Sequence, residues 1–340
     1  MFLAACASST QASQNPAASD PVALRLGYLP NITHAPALIG VSKGYFKAAQ
    51  ASNVTLTTQT FNAGPAEVEA IFGGALDAAF IGPSPAINAY TKSGGTAIRI
   101  VAGAASAGAS LVVRSAANIS LPSDLKGKTL ATPQLGNTQD VALRAYLLDH
   151  GIHTDGEGGR DAKIVPTDNA TTLQLFVQGK IDGAWVPEPW ATRLVQEAGG
   201  KVLVDERSLW TNGQFATTDL VVAKSFLDAH PDTVKALISG ELTAIDWIQK
   251  NPADARAAVN DALLALTQKK LKDSVLDASW TQLSFGVDPL ASTVKKEAEN
   301  ARRVGLLTTT DLKNVFDLRL LNQVLDSSAK PKVSAGLGQA

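Results

Sequence analysis

Gly74-Ala75-Leu76-Asp77-Ala78-Ala79-Phe80-Ile81-Gly82-Pro83-Ser84-Pro85 is echoed 105 residues later by Gly179-Lys180-Ile181-Asp182-Gly183-Ala184-Trp185-Val186-Pro187-Glu188-Pro189-Trp190. In each copy a helical pattern stops at glycine, a turn carries an aspartate, a short apolar run follows, and a proline-containing loop opens the next helix. Short wholly apolar runs bounded by such turns read as strands covered on both faces, the mark of a parallel sheet. The repeat therefore predicts two lobes with the same local architecture. A second pair supports it: Ser110-Leu111-Val112-Val113-Arg114-Ser115 is echoed by Asp219-Leu220-Val221-Val222-Ala223-Lys224-Ser225. If the chain leaves the first lobe through one of these strands and returns through the other, the two are neighbouring crossovers that form a hinge.

Strand and helix patterns alternate outward from the repeat. Strands are expected at 24–28, 54–58, 78–81, 97–102, 129–131, 163–165, 183–186 and 201–205. Helices are expected at 35–43, 65–72, 138–150, 171–177 and from Trp190, and beyond about Ser225 the pattern is helical. The fold class expected is α/β, with two Rossmann-like lobes joined by two crossover strands and a helical C-terminal part on the first lobe. Residues 22–113 form the first part of lobe 1, 114–214 lobe 2, 215–326 the second part of lobe 1, and 327–340 a tail. At about 150 residues per domain, 340 residues suit two cores. With 30 Lys and Arg against 31 Asp and Glu, bulk basicity for nucleic acid is excluded. No run of 18 apolar residues spans a membrane.

The only cysteine, Cys6, follows Leu3-Ala4-Ala5 in the apolar–small–small–Cys pattern of a lipoprotein processing site. Residues 1–21 are expected to be a lipobox remnant and a flexible tether, because Ala7 to Asp20 is too poor in apolar side chains to fold. Cys6 is then the lipidation site of an extracytoplasmic protein anchored to a bacterial membrane.

Ligands of open parallel sheets sit off the carboxyl ends of strands, where helix starts present free N–H groups. Five such loops are expected to line the site: Pro30 to His34, with Asn31, Thr33 and His34; Gly82, Pro83 and Ser84; Gly103 to Gly108, with Ser106; Gln134 to Gln139, with Gln134, Asn137, Thr138 and Gln139; and Trp185 to Trp190, with Trp185, Glu188 and Trp190. Hydroxyl, amide and backbone donors at two helix starts suffice for an anion without any Arg or Lys. Asn31, Thr33, Ser84 and Asn137 are equally good helix caps, Trp185 equally a core side chain, and His34 equally structural. His150 and His153 lie near Asp149 and Asp155, but no metal-ligand set closes around them. Hydrolase, phosphate-loop, metalloprotease and Cys-x-x-Cys motifs are absent.

Gly27-Tyr-Leu-Pro-Asn-Ile-Thr-His-Ala-Pro-Ala37, Phe61-Asn-Ala-Gly-Pro65, Ile81-Gly-Pro-Ser-Pro85, Thr132-Pro-Gln-Leu-Gly-Asn-Thr-Gln-Asp-Val-Ala-Leu-Arg144 and Gly183-Ala-Trp-Val-Pro-Glu-Pro-Trp190 resemble the solute-binding proteins of ABC importers for aliphatic sulfonates, nitrate and taurine. The resemblance covers about residues 22 to 325 and is closest to the actinobacterial aliphatic sulfonate branch. It implies a periplasmic-binding-protein type II fold and a monomer that captures a small organic anion, an alkylsulfonate, for an ABC permease and its ATPase. No cofactor and no catalysis are implied. By analogy the ligand faces the residues named above together with Thr217 and Thr218 of the return strand. A carboxylate at Glu188 repels a sulfonate unless the ligand carries an amine, as taurine does, or Glu188 is bonded elsewhere. Taurine, nitrate and a thiamine-precursor pyrimidine are the alternative ligands. An enzyme on the same fold needs a clustered reactive set that this chain lacks, and an effector-sensing regulator needs a DNA-binding segment ahead of residue 22.

Overall fold

A computed structural model describes residues 20–336. Alternation in the sequence becomes β1 (Val22–Tyr28), α1 (Ala35–Ser42), α2 (Tyr45–Ala49), β2 (Val54–Thr60), α3 (Gly64–Phe72), β3 (Ala78–Ile81), α4 (Pro83–Lys92) and β4 (Ile98–Ala107). It continues as β5 (Ala109–Arg114), β6 (Thr129–Thr132), α5 (Thr138–Asp149), β7 (Lys163–Pro166), α6 (Asn169–Val177), β8 (Gly183–Pro187), α7 (Trp190–Ala198), β9 (Gly200–Asp205) and β10 (Ala216–Ala223). The helical remainder holds α8 (Lys224–Ala229), α9 (Pro231–Lys250), α10 (Pro252–Thr267), α11 (Asp273–Trp280), β11 (Leu283–Phe285), α12 (Ala291–Arg303) and α13 (Arg319–Ser327).

These strands make two mixed sheets, ordered β11-β4-β10-β3-β1-β2 and β7-β6-β8-β5-β9. The repeated aspartates explain why the two sheets match. Asp77 accepts the backbone N–H of Arg25 on β1, and Asp182 accepts that of Thr129 on β6. Each also pairs with an arginine, Arg25 or Arg114. Each carbonyl then receives the last N–H of the antiparallel neighbour, Ala223 of β10 or Arg114 of β5. The order β2-β1-β3-β10-β4 in one lobe is thus reproduced by β7-β6-β8-β5-β9 in the other.

This corrects one expectation. The Leu-Val-Val strands are not neighbouring crossovers: β5 lies wholly in the second sheet, against β8 and β9, and β10 lies in the first, against β3 and β4. Equal strings occupy equivalent places because both are central strands with two buried faces. The chain therefore leaves the first sheet at Ala107–Gly108, not after 113, and returns through residues 206–215. The two passages touch, since Ala107 N–H donates to Phe215 O (3.0 Å) and Thr217 Oγ1 donates to Ala107 O (2.5 Å). Positive φ at Ala107 and Gly108 makes the sharp turn there, and a side chain on Gly108 would strike Leu283.

The C-terminal helices are not confined to the first lobe. α9 and α10 pack on α1, while α11 lies on α7 and α12 spans α4 and α5. Arg303 pairs with Asp149, and Gln196 exchanges hydrogen bonds with Ser274, so the lobes are clasped together. One large core fills the first lobe and its helices, and two smaller ones cover the faces of the second sheet. No helix among the described residues is long and apolar enough to cross a membrane.

Candidate functional site

Three strand ends from each lobe converge on one cavity of about 100 Å³. Lobe 1 supplies Leu29 to His34 after β1, Phe61 to Gly64 after β2, and Gly82 after β3; lobe 2 supplies Pro133 and Asn137 to Gln139 after β6, Asp168 to Ala170 after β7, and Pro187 and Trp190 after β8. Thr217, at the start of β10, completes the wall. At roughly 10–15 Å³ for a single water, this volume suits a ligand of a few heavy atoms rather than a long chain.

Each loop runs into a helix start, which leaves N–H groups unbonded and gives the wall a positive partial charge. Asn31 Oδ1 accepts from Ile32 N (3.0 Å), Asn137 Oδ1 from Gln139 N (2.9 Å) and Asp168 Oδ1 from Thr171 N (2.9 Å). Capping and lining are thus combined: the oxygens serve the helices, and the Nδ2 groups of Asn31 and Asn137 have no partner among the described residues. Thr138 goes further. It is 1% exposed, and its Oγ1 has no hydrogen-bond partner. A Cβ on Gly82, in the other lobe, would come within 2.4 Å of that oxygen, so the starts of α4 and α5 meet there.

His34 is held neutral, its pKa lowered to about 3 by burial despite the bond to Phe80 O. Carbonyl oxygen only accepts, so Nε2 carries the proton at 3.1 Å and Nδ1 accepts from Thr33 Oγ1 at 3.0 Å. Both residues line the cavity with their polar hydrogens already committed. No Lys or Arg lines it among the described residues, and Asp168 is its one charged wall group. Burial raises the Asp168 pKa, but the Thr171 hydroxyl and backbone N–H outweigh it and hold the carboxyl below its usual range.

Several expected residues stand elsewhere. Trp185 is fully buried in the lobe 2 core, with Nε1 donating to Glu206 at 2.7 Å, because its strand face points away from the cleft. Glu188 is 4% exposed and accepts from Thr192 N (3.1 Å) and Oγ1 (2.9 Å), so it ties the start of α7 instead of facing a ligand. Burial raises its pKa against those bonds. Ser84 donates to Glu297 at 2.9 Å, beside Pro83, and Thr218 donates to Thr33 O at 3.0 Å. Ser106 is paired between Ala216 and Ser284, and Gln134 lies outside the cavity with its carbonyl accepting from Asn137 N. The Phe61 to Gly64 and Asp168 to Ala170 loops were not expected to line the site. The strand-end rule that gave the other loops applies to β2 and β7 equally and is the signal that finds them. Cys6 lies outside the described residues.

The taurine-binding periplasmic protein of Escherichia coli is 29% identical over 204 residues, 60% of this chain and 61% of that protein. The bicarbonate transport ATP-binding protein CmpC of a Synechocystis species is 27% identical over 241 residues, 66% of this chain and 35% of that protein. The chain thus spans less than two thirds of the length of these two relatives. Among solved structures, the alkanesulfonate-binding protein SsuA from Xanthomonas axonopodis pv. citri, bound to MOPS, superposes with a TM-score of 0.72 at 19% identity, over 86% of this chain and 96% of that one. The fold is the periplasmic-binding-protein type II fold of that structure, with its two mixed sheets. The sequence profile described as the NMT1-like family matches residues 17–263, well over half of the chain, and the protein belongs to that family.

Proposed function

We propose that the chain is the extracytoplasmic solute-binding component of an ABC importer, capturing a small organic anion of the aliphatic sulfonate class between its lobes and presenting it to a permease. The observation that carries this reading is the unpartnered Thr138 hydroxyl, buried at the meeting of two helix starts on the wall of the cavity between the lobes. A buried hydroxyl without a partner costs about 1–3 kcal/mol, which an anionic oxygen at that place recovers. Charge is compensated by helix starts and neutral donors, and water exclusion strengthens those bonds. Taurine, bicarbonate and alkanesulfonate, in the relatives' names, are all small and rich in acidic oxygen. No bond is made or broken.

The small cavity favours short tails, with Trp190, Phe61 and Leu29 as the apolar wall. Affinity with the actinobacterial sulfonate branch and anchorage through Cys6 belong to the same reading and rest on the quoted sequence motifs. A thermal-shift screen of the full chain against ethanesulfonate, octanesulfonate, taurine, nitrate, bicarbonate and a thiamine-precursor pyrimidine tests it. Ligand at 100 times its Kd adds about 2.7 kcal/mol of stability. A shift with the short sulfonates is expected; a shift with nitrate, bicarbonate or the pyrimidine alone overturns the substrate class, and silence across the panel overturns the reading.

A further inference from the structure

Against the two helices that meet at Gly82 and Thr138 packs α12, and it carries a carboxyl group that the solute site does not use. Glu297 is 1% exposed; its Oε2 accepts from Ser84 Oγ at 2.9 Å, and its Oε1, sealed from solvent, has no hydrogen-bond partner. Ser84 stands in the first turn of α4, two residues after Gly82 on the cavity wall. Consecutive Cα atoms are about 3.8 Å apart, so a charge on Glu297 and one on a solute at Gly82 are separated by on the order of 10 Å, through protein rather than water. Both would draw on the same positive helix start. Among the described residues no cation answers Glu297. The first turn of α4 holds no titratable side chain. On α5, Asp140 and Arg144 are bonded to each other at 3.0 Å, and Asp149 pairs with Arg303 at the far end of α12. Lys295, Lys296, Glu299 and Arg302 of α12 itself are exposed. On β10, Asp219 has its pKa raised well above the usual value by burial. Glu206 of the return passage, bonded by Trp185 and Trp210, adds a like charge. Burial and that charge lift the Glu297 pKa to about 8 against the Ser84 bond.

Resting on the proposed capture of a small anion, we infer that Glu297 is a positioning residue that couples capture to a proton: the anion at Gly82 is held with Glu297 neutral, and ionisation of Glu297 drives the anion off. The coupling is reciprocal. A bound anion makes Glu297 harder to ionise, so binding takes up a proton wherever the free protein has begun to lose it. At an effective dielectric of about 20, two like charges about 10 Å apart disfavour each other by roughly tenfold in an equilibrium constant. Affinity is therefore full below the folded Glu297 pKa of about 8 and falls as pH rises through it.

Titration calorimetry of the full chain with ethanesulfonate and nitrate, each carrying one fixed negative charge from pH 6 to pH 9, tests this without any titration of the solute. Affinity is expected to fall at least threefold from pH 6 to pH 9. Runs at pH 8 in buffers of different ionisation enthalpy should show proton uptake that is absent at pH 6. Glu297→Gln keeps an acceptor for Ser84 and removes the titrating group, so it should bind equally at pH 6 and pH 9 and take up no proton. Ser84→Ala removes the hydrogen bond that favours the ionised form and should move the fall to higher pH, which a merely structural Glu297 would not do. A flat profile in the unaltered chain, or a fall that survives Glu297→Gln, overturns the coupling and leaves anion capture standing. Failure of both anions to bind at any pH removes the coupling together with anion capture at this site.

Discussion

Asn137 and Glu188 show how one side chain can serve a helix and a cavity to different degrees. Asn137 caps α5 through Oδ1 while its other end lines the cavity. Asn137→Ala should therefore lower the stability of the ligand-free protein by about 1 kcal/mol, the usual cost of a lost cap, read as a fall of a few degrees in Tm. Glu188 is spent on Thr192. Glu188→Ala should lower Tm more than Asn137→Ala while leaving the ratio of taurine to ethanesulfonate affinity unchanged; a change confined to taurine would return Glu188 to the ligand. At this scale the sequence was legible by residue type and illegible by direction. Trp185 and Trp190 read as a pair of walls, yet a strand alternates its faces, and only Trp190, in the helix that follows, lines the cavity. Asp168 and Asn169 carry an ordinary capping signature, and nothing local distinguishes a cap at the surface from one at a cleft.

Helix starts, taken as elements, define closure. Gly82 has φ −68° and ψ 154°, a conformation any residue adopts, so alanine there strains nothing in an open lobe. Closed, its Cβ would sit 2.4 Å from Thr138 Oγ1. Gly82→Ala should leave the melting of the ligand-free protein nearly unchanged and weaken solute binding at least tenfold, with a larger radius of gyration in the presence of solute than the unaltered protein shows. Equal affinity and equal compaction would mean that α4 and α5 need not meet. The strand pattern was legible because apolar runs, glycine stops and proline starts are local signals. The exchange of β5 and β10 between equivalent places was not, because identical Leu-Val-Val strings record burial on two faces and say nothing about which sheet provides it.

Across the whole molecule, buried acids set the pH response. Burial lifts Glu206 from 4.5 to about 7, and burial with the nearby Glu206 charge lifts Glu297 from 4.5 to about 8. Glu67, Asp219 and Glu241 are raised well above their usual values by burial. A carboxyl whose folded pKa is raised keeps its proton where the unfolded chain has lost it, so its stabilising protonation is complete below about 4.5 and is lost as pH rises through 7 to 8. His34 acts in the opposite sense: the unfolded imidazole gains a proton below 6.5 that the folded one refuses until about 3, so stability falls as pH drops across that window. Several acids outweigh one histidine, and Tm should be higher at pH 5 than at pH 8. Glu297→Gln keeps an acceptor for Ser84 and should flatten the profile above pH 7; a profile rising from pH 5 to 8 would contradict these burials.

Capture of a small acid at the meeting of the two lobes is tested most directly by Thr138→Val, which keeps the shape of the side chain and removes the hydroxyl. Titration calorimetry of the unaltered chain and this variant with taurine and ethanesulfonate should give saturable one-to-one binding that weakens at least tenfold in the variant. The ligand-free variant should melt no lower than the unaltered protein, because the hydroxyl has no partner to lose. Undiminished binding in Thr138→Val, or none in the unaltered chain, would contradict a solute site at the junction of α4 and α5.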